Sequence, residues 1–388
     1  MVLSCDVTST RRQFLASATS AGLASVVAAC TPSGTSAPAS QPADSTSIKT
    51  GFDKAWDELV GAANQEGNLA LVTTVGAVYR DAVDEFQKAF PGIKVDHTSL
   101  NASQFAPRVV QERNGGIYSY DVATSTFGTL HRTLMPMGGL DPIRPFIIRP
   151  DALDDKTWRD GSFEAGLLDT DRKYSYASFQ IRSRHLWINT DLVKDGEIKT
   201  VQDLLDPKWK GQILSLDLRV AGSYWPATVM RLAYGDDIIK RLWKDQEAVL
   251  NRELRQITEM MVRGKYAIGI DAPIEFILPE FLDQGLGKNL KFLELDNVEH
   301  VSGGNDVLFL FNRAPHPNAA KVFINWVLSK EGSATWSKLV GTNSRRVDVE
   351  PYALDNIPSP GRKYIQIDKQ ELQAEWEKTQ ELAKQALN

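Results

Sequence analysis

The sequence predicts an α/β protein of two lobes, each a doubly wound sheet with flanking helices. Three observations predict it. Near the start of the folded body, apolar positions alternate between strand and helix periods with short connections, an order that builds a parallel sheet. The chain has 388 residues, more than the roughly 250–300 at which a single core stops growing. Residues 174–192 are a second apolar, aromatic stretch placed to cross from one lobe to the other.

Taken in order, residues 1–29 have the features of an export signal. Arg11-Arg12 with Phe14-Leu15 behind them looks like a twin-arginine signal. The apolar run 14–29 carries no charge and is shorter than the ~20 residues that span a bilayer, as expected of a signal peptide. Small residues ahead of Cys30 resemble a bacterial lipobox, implying cleavage before Cys30 and lipid on it. Residues 30–48 are rich in Pro, Ser and Ala and are expected to form a disordered tether. Cleavage leaves 388 − 29 = 359 residues, and the folded body then has no thiol, because Cys5 is discarded and Cys30 is lipidated. Hydrophobic content of 42% and charged content of 24% are ordinary for a globular protein. A net charge of −5 with no run of Lys or Arg argues against a nucleic-acid partner.

Phe52, Trp56, Leu59, Val60 and Ala63 recur at helical spacing. Residues 69–74 form a short buried strand, Val75-Gly76 a turn, and residues from Val78 to Phe90 a second helix stopped by Pro91-Gly92. Residues 93–98 alternate as a strand, 103–113 form a third helix and 120–124 a third strand. The Pro-rich stretch 136–150 fits a surface crossing. Residues 209–216 are a turn and a strand, and the next helix opens near Gly222, with Ser223 as N-cap. One long helical stretch is expected over 236–263, then strands over 266–270, 290–295 and 306–311. Helices follow over 318–328 and 333–339, and an amphipathic helix over 369–387 closes the chain with Leu372, Trp376, Ala383 and Leu387 inward. The lobes are expected to divide as 49–142 with 300–340, and 143–299 with 341–388.

Several stretches carry a resemblance. Residues 83–95 (VDEFQKAFPGIKV), 120–125 (YDVATS), 182–192 (RSRHLWINTDL), 206–211 (DPKWKG) and 314–332 (APHPNAAKVFINWVLSKEG) occur in one order. Together they resemble the family 1 extracellular solute-binding proteins of bacterial ABC importers, close to the ferric, polyamine, thiamine and sugar-phosphate binders. The resemblance implies the type II periplasmic-binding-protein fold, a ligand held between lobes that close by a hinge, and a membrane permease as partner. It implies no enzyme activity and no cofactor, and a monomer tethered by lipid at Cys30 on the periplasmic or cell-surface side of the cytoplasmic membrane.

Open α/β sheets bind ligands beyond the carboxyl ends of their strands. That rule selects Thr73, Thr74 and Gly76 after the first strand, and Ser125 and Thr126 after the third. Their hydroxyls and free N–H groups suit an anionic or hydroxylated ligand, or else simply cap helices. Arg182 and Arg184, two apart on the crossing segment, share a face. They either pair with a ligand carboxylate or phosphate or form an interlobe salt bridge. Arg219, just before a helix start at Ser223, is the foremost charged candidate. Tyr224 stacks on ligand or packs in the core. Asp271 and Glu275 follow a strand and either hold a ligand amine or balance the arginines. Asn305 and Asp306 sit near the second crossover, as hinge or contact.

The ferric subgroup presents adjacent tyrosines where this chain has Ala272-Pro273-Ile274-Glu275. No histidine lies in the first loop and no glutamate follows Ser125-Thr126. Ferric iron needs several anionic oxygens, so no metal site is expected and a small polar organic anion is the better guess. Two other readings stand beside this one. A lipid-anchored hydrolase using cleft carboxylates lacks Gly-x-Ser-x-Gly, His-Glu-x-x-His and Gly-Lys-Ser/Thr signatures, and its five histidines are scattered. A ligand-loaded sensor for a membrane receptor would have the same fold.

Overall fold

The computed structural model describes residues 51–219, 225–271, 274, 277–359 and 361–388. The export signal, Cys30 and the tether lie outside the described residues, as do Ser223, Tyr224 and Glu275. The first part of the chain folds as α1 (Gly51–Glu66), β1 (Asn68–Thr73), α2 (Ala77–Ala89), β2 (Lys94–Ser99), α3 (Ala102–Asn114), β3 (Val122–Ser125), α4 (Phe127–Leu134), β4 (Leu140–Asp141) and α5 (Pro150–Leu153). Next come β5 (Ser175–Ala177), β6 (Phe179–Arg182), β7 (Leu186–Asn189), β8 (Ile213–Leu216), α6 (Trp225–Tyr234) and α7 (Asp237–Ile239). They are followed by β9 (Val249–Asn251), α8 (Leu254–Val262), β10 (Ile268–Ile270), α9 (Leu278–Leu282) and β11 (Leu290–Phe292). The last part holds β12 (His300–Ser302), β13 (Val307–Phe311), α10 (Pro317–Val327), α11 (Lys330–Val340), β14 (Asn343–Ser344), β15 (Ile365–Gln366) and α12 (Gln373–Leu387).

These strands form two lobe sheets and one crossing sheet. The first has the order β2-β1-β3-β13-β4, with β5 also on β13. Its β1–β2 and β1–β3 pairs are parallel, as the β-α-β order requires, whereas β13 runs antiparallel to β3, so the sheet is mixed. One face packs under α1, α2, α10 and α11 through Leu71, Phe86, Phe323 and Trp336, and the other under α3 and α4 through Val72, Phe105 and Phe127. The second sheet has the order β11-β7-β10-β8-β9. It is covered by α6, α7 and α12 on one face and by α8 and α9 on the other. Burial on both faces explains why the central strands β1, β13, β7 and β10 read as apolar runs without alternation, while the edge strand β2 alternates.

The third sheet, β14-β6-β12-β15, is built from crossing segments. Its members have two to four residues, too short to leave a period in the sequence.

The helix expected over 236–263 is a correction. After α7 a π-helical turn, Lys240–Asp245, is capped by Gln246, and Glu247 adopts a left-handed backbone (φ 51°). Val249-Leu250-Asn251 then pairs in parallel with β8 before α8 begins. Residues 248–250 have enough apolar character to continue a helix, but the exposed edge of β8 claims their backbone groups.

Candidate functional site

Strand register shows where the two lobes meet the crossing sheet. Val307 pairs with both Ser125, at the carboxyl end of β3, and Ala177, at the end of β5. Leu186, at the start of β7, pairs with Ile270, at the carboxyl end of β10. Residues 178–185 therefore run from the carboxyl edge of one lobe sheet to the carboxyl edge of the other. The strand-end loops chosen by sequence lie on these two edges.

On the first edge the Thr73 hydroxyl donates to the Thr74 carbonyl at 3.0 Å and lies 2.8 Å from His97 Nε2. The Thr74 hydroxyl donates to Asn101 Oδ1 at 3.1 Å. Both threonines are buried, as is Ser125. Gly76 precedes α2 at φ 156°, a conformation that side-chain-bearing residues rarely adopt, and a Cβ there would stand 3.3 Å from the Tyr79 ring. Three helices start on this edge: α2 after Gly76, α3 after Asn101 and α4 after Thr126. None has a side-chain cap hydrogen bond. The first-turn N–H groups of a helix have no intrahelical acceptor, so three positive helix ends converge here. Burial, and then the Arg80 charge, pushes the His97 imidazole down, which keeps it neutral at pH 7.

On the second edge Asp217 follows β8. Arg219 grips it through two bonds, Nε to Oδ1 at 2.7 Å and Nη2 to Oδ2 at 3.0 Å, and Arg252 adds a third at 2.9 Å. The Arg219 bonds above all hold the Asp217 carboxyl down at about 2 despite its burial. Arg219 also donates to the carbonyl of Leu387, at the end of α12. The foremost candidate thus stands at the expected edge, already paired with a carboxylate. Asp271 follows β10 with a left-handed backbone (φ 54°). It is buried, its Oδ2 has no hydrogen-bond partner among the described residues, and burial pushes its carboxyl well above the usual range.

Arg182 and Arg184 share a face, as their spacing requires, but both are engaged within the fold. Arg182 is 6% exposed, pairs with Glu294 at 2.7 Å and lies over the Phe292 ring. Arg184 pairs with Asp355 and donates to Asn356 Oδ1 at 2.6 Å. Residues 345–364, which connect β14 to β15, supply Asp355 and Asn356; these partners lie over 170 residues downstream. Both arginines thus have carboxylate partners within the fold.

Sequence reasoning passed over His97, Asn101, Asp217 and Arg252. Asn101, Asp217 and Arg252 follow strands, so the same carboxyl-end rule, applied to β2, β8 and β9 as well, selects them; His97 lies within β2, beside β1, and that rule does not reach it. Among the described residues no group of three or more His, Cys, Asp or Glu side chains is placed to hold a metal ion. No described helix is long and apolar enough to cross a membrane.

The second crossover is fastened to the first lobe. Asp306 accepts Trp336 Nε1–H at 2.9 Å and is also bonded by the Tyr79 hydroxyl. Gly303 N–H donates to Asp368 at 2.8 Å. Burial pushes the Asp306 carboxyl up to about 7. Its folded value is above the unfolded one, so the folded state holds the extra proton between about pH 4 and 7. The sign follows: stability falls as pH rises through that window. Asp306→Asn keeps an acceptor for Trp336 but cannot ionise. The stability of the parent relative to this variant should therefore drop from pH 5 to pH 7, by up to about 1.4 kcal/mol per pH unit. Thermal unfolding of both proteins across that range checks it; parallel curves would contradict the assignment.

A family model described as bacterial extracellular solute-binding protein matches residues 70–334. No curated protein sequence matches the chain. Similar solved structures include a protein of Bordetella parapertussis described as an extracellular solute-binding protein. It is 15% identical, with a TM-score of 0.65, and the match covers 84% of this chain and 100% of that one. The Trichodesmium FutA protein in complex with iron and citrate is 18% identical, with a TM-score of 0.63 and coverage of 82% and 99%. The spermidine/putrescine substrate-binding protein PotD of Streptococcus pneumoniae is 14% identical, with a TM-score of 0.54 and coverage of 83% and 99%. At such identities the likeness speaks for the fold, and the named ligands differ among these proteins.

Proposed function

The chain belongs to the bacterial extracellular solute-binding protein family, and on that premise we propose that it captures a small polar organic anion between its lobes for an ABC permease. The convergence of three uncapped helix starts on the first edge carries the anionic reading. Thr73, Thr74, Gly76, Ser125 and Thr126 form that side of the proposed site. Arg219, with Arg252 sharing its carboxylate, forms the other, and Ser223, Tyr224 and Glu275 complete the set. Asp271 borders it. Ligand that touches both edges favours the closed state, and the crossing sheet is the hinge. Twin-arginine export, a lipid at Cys30, a periplasmic or cell-surface location and a monomeric state complete the proposal. Iron alone is not the proposed solute, because neutral His97 and a few hydroxyls do not supply several anionic oxygens.

Calorimetric titration of the mature protein against small organic anions and amines tests this. The expected result is binding of one or more anions and of no amine; binding of amines only would overturn the anionic reading. Gly76→Val forces a branched side chain into the φ 156° position against Tyr79. It should weaken by tenfold or more the binding of any small polar anion so found that lacks an apolar body, with an unchanged circular-dichroism spectrum.

A further inference from the structure

The connection over residues 345–364 leaves one edge of the crossing sheet at β14 and rejoins the opposite edge at β15. It passes over β6, where Arg182 donates to the Asp355 and Ile357 carbonyls, both at 3.5 Å. Beneath it lies a cavity of about 580 Å³, within the size range of small-molecule sites. Gln180, Val301 and Gln366 of the crossing sheet line it, and none of Thr73, Thr74, Gly76, Ser125 or Thr126 does. It is thus separate from the first strand-end edge.

The lining is cationic at one part and apolar at another. Among the described residues the lining holds Arg159, Arg362 and Lys369 with Asp160 as its only carboxylate, and Asp160 is committed to Arg345 at 2.8 Å. Among the described residues, neither Arg159 nor Lys369 has a carboxylate within ion-pair distance; Arg159 Nε makes only a long 3.5 Å bond to the Ser344 carbonyl. Arg362 stands 3.3 Å from Asp296 and 3.8 Å from Glu294. The Gln180 and Gln366 amides meet at 3.5 Å. Val301, Val347, Ile357 and Pro358 supply apolar walls.

We propose that this cavity is a second binding site, for a small organic carboxylate with an apolar body. The carboxylate pairs with Arg159 and Lys369, the amides orient it, and the apolar part lies against Val301, Val347 and Ile357. Because the floor is crossing strands and the roof is the strap that Arg182 and Arg184 hold, an occupant joins the strap to the hinge.

Titration of the mature protein with benzoate, with acetate and benzylamine as controls, tests the site. Benzoate should bind, acetate at least tenfold more weakly, and benzylamine not at all. The double variant Arg159→Ala/Lys369→Ala should lose at least tenfold in benzoate affinity, and Arg159→Lys/Lys369→Arg should retain it. Gly76→Val, altered on the strand-end edge, should bind benzoate as the parent does. No benzoate binding at millimolar concentration, binding indifferent to the alanine pair, or loss in Gly76→Val would each overturn the proposal.

Discussion

Replacing Gly332 with alanine should destabilise the protein by about 3 kcal/mol or more, the upper range for overpacking. Gly332 sits in the first turn of α11, where its N–H donates to the N-cap Ser329 hydroxyl at 2.9 Å. That hydroxyl in turn donates to the Trp326 carbonyl at 2.6 Å, so α10 and α11 meet through a closely bonded corner. A Cβ on Gly332 would stand 1.9 Å from the Trp326 carbonyl oxygen and 2.6 Å from its carbon. These are backbone atoms of the preceding helix, and no rotamer change relieves the clash. The two helices must part, and they carry Phe323, Trp326 and Trp336 into the first lobe's core. Gly61 is the control: it lies within α1 with nothing within 4 Å of its Cβ position. Gly61→Ala should stabilise by about 0.5–1 kcal/mol through helix propensity. Denaturant unfolding of both variants checks the pair, and an unchanged midpoint for Gly332→Ala would contradict the packing argument.

Arg345→Ala should cost roughly 2–5 kcal/mol, the scale for truncating a large buried side chain to alanine. Arg345 is 1% exposed. Its guanidinium pairs with Asp160, donates to the Ala177 carbonyl at 2.7 Å and lies over Trp158 and Tyr176. Removal leaves that carbonyl without this donor and opens a cavity beside the start of the crossing segment. Gly166 makes room for this side chain, since a Cβ there would stand 2.1 Å from Arg345 Nη1 and 2.6 Å from the Tyr176 ring. Gly166→Ala alone should therefore also destabilise. In the Arg345→Ala background the added methyl meets vacated space on one side, so the double variant should lose less than the two single costs combined. A double-mutant cycle measures that coupling; strict additivity would mean that Gly166 and Arg345 do not contend for one volume.

The alternation of helix and strand over 51–125 was legible because each element is long enough to show its own period and buries an apolar face. The closing helices were legible for the same reason. The crossing sheet was not: β12, β14 and β15 have two or three residues each, and only distant partners make them strands. The expected long helix failed at β9, where pairing with β8 outweighed local propensity. At the site, spacing correctly put Arg182 and Arg184 on one face. Which face that is depends on a strap some 170 residues later, so sequence spacing alone cannot choose between ligand and Asp355. Arg219 was selected by its place before a helix, but Asp217, two residues earlier, was overlooked as its partner. The carboxyl-end rule selected Thr73, Thr74 and Ser125 because it depends on strand direction, which the β-α-β order sets.

Capture of a solute between the lobes is tested most directly by native mass spectrometry of the protein isolated from the cells that produce it. The prediction is one small polar molecule held per chain, released on unfolding and lost or strongly reduced in Gly76→Val. A protein that emerges empty and gives no heat with any of the anions or amines, or a molecule that Gly76→Val retains as firmly as the parent, would contradict it.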